Sequence, residues 1–163
     1  MRSPAGLWRV WAVAAALSIS VLCTYWPVLH HGFVDFDDPI YVQQNRHLMG
    51  GFTGEAFRWA FTTYRAANWH PVTWISHLAD VRWYGLNPAG HHLTSLLLHL
   101  ANALLLLLIL RACTGGLWRS ALVAALFALH PLRVESVAWI SERKDVLAGF
   151  FWMATLEIGR AHV

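Results

Sequence analysis

The stretch between Arg82 and Arg111 carries no charged side chain and ends in an unbroken aliphatic run at 104–110. A helix needs about 20 predominantly apolar residues to cross the hydrocarbon core of a bilayer. This stretch therefore predicts a membrane-spanning helix at about 91–112, and the 20 uncharged residues of 10–29 predict another. Only 13% of the residues are charged, about half the ~25% usual for a soluble domain. We expect an all-α integral membrane protein, a multi-pass helical bundle.

Two further apolar segments are less regular. Residues 120–132 are uncharged over only 13 positions, too few to span alone, and predict a short helix, a re-entrant segment or a helix continuing past Arg133. A fourth apolar run begins at about 146 and is cut short. Residues 157–163 resemble the in-frame translation of a sequencing adapter, with a natural polar terminus as the alternative. We expect a membrane region at 1–156, truncated, and a non-native tail after it.

Basic residues near the spans predict the orientation. Arg2 and Arg9 flank the first span and Arg111 and Arg119 follow the second, so the positive-inside tendency places the N-terminus in the cytoplasm. Residues 30–90 then form an external loop. The basic residues form no run or stripe, which argues against a nucleic-acid partner.

The external loop contains two segments with helical signals. Thr53 can cap a helix that has Glu55 in its first turn, and Pro71 suits the first turn of another. Apolar residues recur at helical spacing in both segments. The two apolar faces comprise Phe57, Ala60, Phe61 and Tyr64 in the first, and Val72, Ile75, Leu78 and Ala79 in the second. We expect amphipathic helices lying in the outer interface.

Three carboxylates lie close together just beyond the first predicted span, at Asp35, Asp37 and Asp38. Neighbouring carboxylates near a low-dielectric boundary raise one another's pKa. Such a group can accept a proton from a hydroxyl or bind a divalent cation. The alternative is an acidic turn that ends at Pro39.

A polar stripe follows one face of the second predicted span, where His92, Ser95, His99 and Asn102 are spaced by three or four residues. Polar side chains at membrane depth face protein or water rather than lipid. The stripe predicts either a polar cavity in the outer half of the bundle, lined by His92 and His99, or a set of hydrogen bonds between helices.

Charged residues also adjoin the later apolar segments, in the groups His130, Arg133 and Glu135, and Glu142, Arg143, Lys144 and Asp145. These could form structural ion pairs or bind an anionic lipid headgroup. Ten histidines suggest zinc, but no H-x-x-x-H with a helical Glu occurs, and the adjacent pairs at 30–31 and 91–92 chelate poorly from one helix. These residues do not specify the identity of any bound metal ion.

Four motifs give the chain a family resemblance. They are Phe33-x-x-x-Asp37-Asp38-Pro39-x-Tyr41-x-x-x-Asn45, Asn68-Trp69-His70-Pro71-x-Thr73-Trp74, Gly85-Leu86-Asn87-Pro88-x-Gly90-His91-His92, and His130-Pro131-x-x-x-Glu135-Ser136-Val137-Ala138-Trp139. Together they resemble the N-terminal membrane region of bacterial tetratricopeptide-repeat membrane proteins. The last motif, with Arg143-x-Asp145-x-Leu147, is also similar to eukaryotic transmembrane and tetratricopeptide-repeat O-mannosyltransferases of the GT-C superfamily.

The resemblance implies a site and a reaction. The essential acid of the first external loop would fall on Asp37 or Asp38, with Asp37 favoured, and would act as general base or metal ligand. Glu135 matches a second acidic position and His130 lies beside it. Arg143 matches a basic position near the donor phosphate, and Lys144 is its neighbour. A polyprenyl-phosphate sugar donor and a hydroxyl acceptor, such as a protein Ser or Thr, would react at the external face of a bacterial inner membrane.

Two other functions stay open. The chain could be a non-catalytic membrane anchor for a protein-binding tetratricopeptide-repeat array, in which case Asp37 and Asp38 form only a solvated turn. A channel or transporter fragment with a histidine proton path is the third interpretation, and the absence of a repeated helix pattern speaks against it.

Overall fold

A computed structural model describes residues 4–162, which fold into helices without a β-strand. Helix α1 is Pro4–Tyr25 and continues as a 3₁₀ turn at Trp26–His30. A connecting segment follows with short helices. It consists of a π turn at Pro39–Gln43, α2 at Arg46–Met49, α3 at Gly54–Thr62, a 3₁₀ turn at Arg65–Ala67 and α4 at Pro71–Tyr84. The all-α fold class is therefore confirmed.

The second half of the chain contains the longest helix. Helix α5 is Pro88–Thr114 and α6 is Leu117–Leu129. A 3₁₀ turn at Pro131–Arg133, α7 at Val134–Ala138 and another 3₁₀ turn at Ile140–Glu142 lead into α8 at Arg143–Ala161. Helix α8 runs through residues 157–161, so the segment expected to be a non-native tail continues the helix; its origin stays a prediction.

Two helical stretches are long and apolar enough to cross a membrane, Gly6–His30 and Pro88–Thr114. The pair Leu117–Leu129 and Pro131–Ala138 passes the same test only when taken together, and it bends by 55° between the two helices. A third crossing exists if this bent pair is one span; otherwise it is a re-entrant segment. The short apolar segment at 120–132 therefore does not form a straight spanning helix.

The membrane core packs around α5, which contacts α1, α6, α7 and α8. Its buried residues are mainly aliphatic and include Leu17, Val21, Leu96, Leu107 and Ala124. Because lipid tails are as apolar as these side chains, van der Waals packing rather than exclusion of water holds the helices together here. The connecting segment has its own small core, where Tyr41, Val42, Ala60 and Trp74 meet Ile140 from the turn before α8. That contact fixes the segment against the end of the bundle where α8 begins.

The helix-start residues predicted in the connecting segment do begin helices in the structure. Thr53 Oγ1 accepts a hydrogen bond from the Ala56 amide at 3.1 Å, and Pro71 occupies the first turn of α4. Gly85 ends α4 with a positive φ of 60°, which glycine adopts at little cost. Gly90 allows α5 to approach α4, because a Cβ there would lie 2.2 Å from Cγ of Tyr84.

The apolar face predicted for α4 does not lie in one environment, since Val72 is 43% exposed, Ile75 and Ala79 are half-buried and Leu78 is fully buried. Thr73, Trp74, His77 and Asp80 are buried as well. Polar and aromatic side chains of α4 face the bundle because charged and imidazole groups that interact with them are buried there, as described below. In α3, Phe57 and Phe61 are exposed, as expected for a helix at a membrane interface.

Candidate functional site

The two adjacent aspartates occupy different environments. Asp38 is fully buried, and its two carboxylate oxygens accept hydrogen bonds from the backbone amides of Val34, at 2.8 Å, and Ser141, at 2.9 Å. It therefore fastens the acidic loop to the turn that precedes α8. Asp37 is only half-buried and Asp35 is exposed. Of the pair, Asp37 has the freer carboxylate.

Tyr41 lies beside Asp37 and packs against several side chains. Its ring is 2% exposed and stacks on His70 and Trp74, with centroids 5.5 Å and 5.1 Å away. The ammonium nitrogen of Lys144 is 5.8 Å from the ring centroid. Burial raises the pKa of the Tyr41 phenol, Lys144 opposes this, and Asp37 raises the pKa further. Asp37 and Lys144 thus both act electrostatically on one buried phenol.

An apolar groove of about 490 Å³ is lined in part by Lys144. Helix α8 contributes Leu147, Ala148 and Phe151 to it, and the region around the start of α4 contributes Phe61, Trp69, His70, Pro71, Val72 and Thr73. Lys144 also pairs with Glu142, with Nζ 2.6 Å from Oε1, and its side chain is 32% exposed. A cation in the wall of an apolar groove suits a ligand with an anionic head and a hydrocarbon tail.

Arg143 does not point into this groove. Its side chain is fully buried and forms an ion pair with Asp80. The guanidinium also donates to the His91 carbonyl at 2.6 Å and to the hydroxyls of Ser95 and Ser76 at 3.3 Å each. Binding of a donor phosphate by Arg143 stays a prediction, and in this arrangement the guanidinium joins α4, α5 and α8.

Glu135 lies on the same surface as part of the acidic loop. It is exposed and lines a groove of about 390 Å³ together with Val34 and Phe36, and the ring of Phe36 lies 5.9 Å from that of Trp139. His130 is exposed and ends α6, where its Nδ1 accepts from the Leu132 amide at 3.2 Å. Glu135 therefore shares a surface with residues flanking Asp37, while His130 makes a local turn contact.

The polar stripe of α5 makes contacts between segments. His92 Nε2 lies 3.4 Å from the Gly32 carbonyl, His99 Nε2 lies 2.9 Å from the Ala128 carbonyl, and Asn102 donates to the Val146 carbonyl at 2.9 Å. His99 and Asn102 also line a cavity of about 150 Å³ with Arg133, Ser136 and Asp145. His99 thus fits both interpretations of the stripe, since it contacts another segment and also lines a cavity. His92 instead contacts Gly32, which lies close to the acidic loop.

Sequence reasoning missed Asp80 and His77. Asp80 is fully buried, binds Arg143 and accepts from the Thr94 hydroxyl at 2.7 Å. His77 is buried one helical turn before it, and burial holds the pKa of its imidazole well below the usual range. The spacing His77-x-x-Asp80 was the available signal, because residues three apart share a helix face.

Comparison with known proteins places the chain near one group. It is 33% identical over 90 residues to Protein O-mannosyl-transferase tmtc2 of Xenopus laevis, which covers 55% of the chain and 11% of that protein. Identity to Protein O-mannosyl-transferase Tmtc2 of Drosophila melanogaster is 29% over 139 residues, 80% of the chain and 15% of the relative. For human Protein O-mannosyl-transferase TMTC4 it is 26% over 166 residues, 88% of the chain and 22% of the relative.

These similarities are distant and partial, and the chain spans less than a quarter of the length of those three relatives. No protein-family model matches the chain, and no solved structure matches it. The chain is thus a membrane protein with partial homology to proteins named O-mannosyl-transferases.

Proposed function

We propose that this chain forms the N-terminal, site-bearing part of a GT-C membrane glycosyltransferase of the O-mannosyltransferase type. It would transfer a sugar from a polyprenyl-phosphate donor to a hydroxyl acceptor, such as a protein Ser or Thr, at the external membrane face. One observation carries the proposal: Lys144 lies by the ring of Tyr41 and lines an apolar groove, and the Tyr41 amide donates to the Asp37 carbonyl. The distant homology to O-mannosyl-transferases supports the same reaction class.

The geometry suggests how each group would act. The acceptor oxygen would attack the anomeric carbon of the donor while the bond from that carbon to the phosphate oxygen breaks, and the leaving phosphate would keep the electron pair. Asp37 would accept the hydroxyl proton as general base. Lys144 would stabilise the phosphate, because a fixed cation lowers the energy of developing negative charge. The polyprenyl chain would lie in the apolar groove.

The other predicted site residues receive supporting roles. Asp38 would position the loop, since its two oxygens already bind backbone amides. Arg143 would position Lys144 by fastening the start of α8 to Asp80. Glu135 and His130, on the neighbouring surface, would contact the acceptor or the donor phosphate.

The proposal is tested by substituting Asp37→Asn in the complete gene product that carries this sequence. Transfer of labelled mannose from a polyprenyl-phosphate donor to acceptor protein is measured in membranes. We expect the rate to fall about 10²- to 10⁴-fold, the usual contribution of a general base, with normal membrane insertion. Asp35→Asn is the matched control because that carboxylate is exposed, and it should leave transfer unchanged. Unchanged transfer in Asp37→Asn would overturn the assignment.

A second candidate is a non-catalytic anchor for a tetratricopeptide-repeat array. The observation that favours it is Asp38, whose bonds to two amides are those of a structural turn. Under this alternative, neither Asp37→Asn nor Lys144→Gln would alter glycosylation, and partner binding by the repeats would persist in both.

A further inference from the structure

Three metal-type side chains meet where α4 packs on α5. His77 and Asp80 lie one turn apart on α4, and His91 lies in the first turn of α5. Each offers one ligand atom, and these atoms lie within 4.8 Å of one another. All three residues are fully buried. Two imidazoles and a carboxylate form a donor set that zinc commonly takes in proteins.

His77 lacks any hydrogen-bond partner for either ring nitrogen, although its side chain is completely buried. Leaving a buried polar atom without a partner costs about 1–3 kcal/mol, and native proteins rarely do so. The imidazole packs edge-on to Tyr41 at 6.2 Å and lies 6.3 Å from the His91 ring, so the ring is held in place by packing. Both buried ring nitrogens of His77 are therefore available to bind a ligand.

His91 gives a second, independent indication. Its Nε2 lies 3.0 Å from the Gly85 carbonyl, which can only accept, so Nε2 carries the hydrogen. In a neutral ring the lone pair is then on Nδ1, and Nδ1 faces Asp80 Oδ2 at 3.5 Å. Two acceptors therefore face each other across this gap, and the same Asp80 oxygen also pairs with the Arg143 guanidinium. Metal-binding histidines commonly donate their other N–H to a backbone carbonyl in this way.

We propose that His77, Asp80 and His91 bind a zinc ion that fastens α4 to α5. The ion would supply the partner that His77 lacks and would lie between His91 Nδ1 and Asp80. Arg143 shares the Asp80 carboxylate, and Asp38 is the other nearby acid. The two acids offset the guanidinium and part of the ion's charge. A fourth ligand, water or hydroxide, would complete a tetrahedral site. The zinc ion would take no part in the proposed glycosyl transfer, although Asp80 also forms the ion pair that holds Arg143.

The test uses the protein purified in detergent with a tag that contains no histidine. After removal of metals with a chelator, the protein is reloaded with Zn²⁺, and in parallel with Co²⁺. We expect one zinc per chain by elemental mass spectrometry, and visible Co²⁺ absorption typical of four-coordinate nitrogen and oxygen ligation. X-ray absorption of the zinc-loaded wild type should show two imidazole ligands.

Variants locate the ion. His77→Phe keeps an aromatic ring that packs against Tyr41 but removes the ring nitrogens. We expect the zinc affinity to fall by at least about 10- to 100-fold, since even loss of a residue that only supports a metal ligand has an effect of this size. His47→Phe is the matched control, since His47 is an exposed imidazole that stacks on Trp59 in the same segment. It should bind zinc like the wild type.

The proposal is overturned by a wild type that binds no stoichiometric zinc, by a folded His77→Phe protein with wild-type affinity, or by an absorption spectrum without two imidazoles. If His77→Phe fails to fold by circular dichroism, the wild-type absorption spectrum decides. Nuclear magnetic resonance showing both His91 nitrogens protonated in zinc-treated protein would mean that a proton, and no metal, fills the gap.

Discussion

At the residue scale, adjacent side chains of the same type perform different tasks. Asp37 and Asp38 are the same residue type at adjacent positions, yet Asp37 is half-buried and the Asp38 carboxylate is buried between two amides. The difference arises because the chain turns at Asp38 and Pro39, which directs one side chain inward and leaves the other at the surface.

Asp38→Asn should destabilise the protein while Asp35→Asn should not. The amide that replaces one oxygen would place an N–H donor against a backbone N–H, so one buried hydrogen bond is lost, at a cost of about 1–3 kcal/mol. Thermal unfolding in detergent, followed by tryptophan fluorescence, measures the shift. An unchanged midpoint in Asp38→Asn would contradict the fastening role of this carboxylate.

His70 should make stability depend on pH. Burial lowers the pKa of its imidazole, and Lys144 lowers it further. The unfolded chain then binds more protons than the folded one below about pH 6.5, so stability is complete above that pH and declines as pH falls toward the lowered folded pKa. His70→Phe preserves stacking on Tyr41 and Trp74 and should reduce this decline. Unfolding midpoints between pH 7.5 and 5.5, with chelator present, give the comparison, and equal slopes would refute it.

At the scale of elements, a buried ion pair joins three helices. Asp80 of α4 meets Arg143 of α8, and the guanidinium also reaches the His91 carbonyl and Ser95 of α5. A buried pair contributes little net stability compared with apolar packing, but breaking it leaves a charge without a partner. Its main effect is to fix how α4 docks, and with it the groove beside Lys144.

Asp80→Asn should therefore be severely destabilising. An uncompensated buried guanidinium costs about 3–5 kcal/mol, measured as a fall in the free energy of unfolding of the metal-free protein. Glu157→Gln serves as the control, because the Glu157–Arg160 pair lies at the surface and its loss should change little. Similar effects of the two substitutions would mean that Arg143 finds water or another partner.

At the scale of the whole molecule, the arrangement depends on the membrane. Exposed apolar side chains cover the outer faces of α1 and α6, including Trp11, Ile19, Leu122 and Leu126. Such continuous apolar faces need lipid or further helices around them. The connecting segment between α1 and α5 packs on one end of this bundle, so the two sides of the protein have different chemistry.

Cysteine labelling should reveal that asymmetry. In a background of Cys23→Ala and Cys113→Ala, Gly54→Cys lies in the connecting segment and Gly116→Cys in the turn between α5 and α6. We expect a membrane-impermeant maleimide added to intact cells to label Gly54→Cys only, because the basic residues near 111–119 favour the cytoplasm. Labelling of Gly116→Cys alone would reverse the proposed orientation.

The sequence by itself determined the all-α fold class and where two helices can cross a membrane. Hydropathy and length act locally, and so do the Thr53 cap and Pro71, so each can be identified without knowing the fold. Tertiary structure alone decided which aspartate is buried, that α4 turns Asp80 inward, and that Arg143 is enclosed. These outcomes depend on partners far apart in the chain, such as Asp80 with Arg143 and Asp38 with the Ser141 amide. A charge or imidazole can be buried only where such a partner satisfies it, and the chain's folding brings that partner into place.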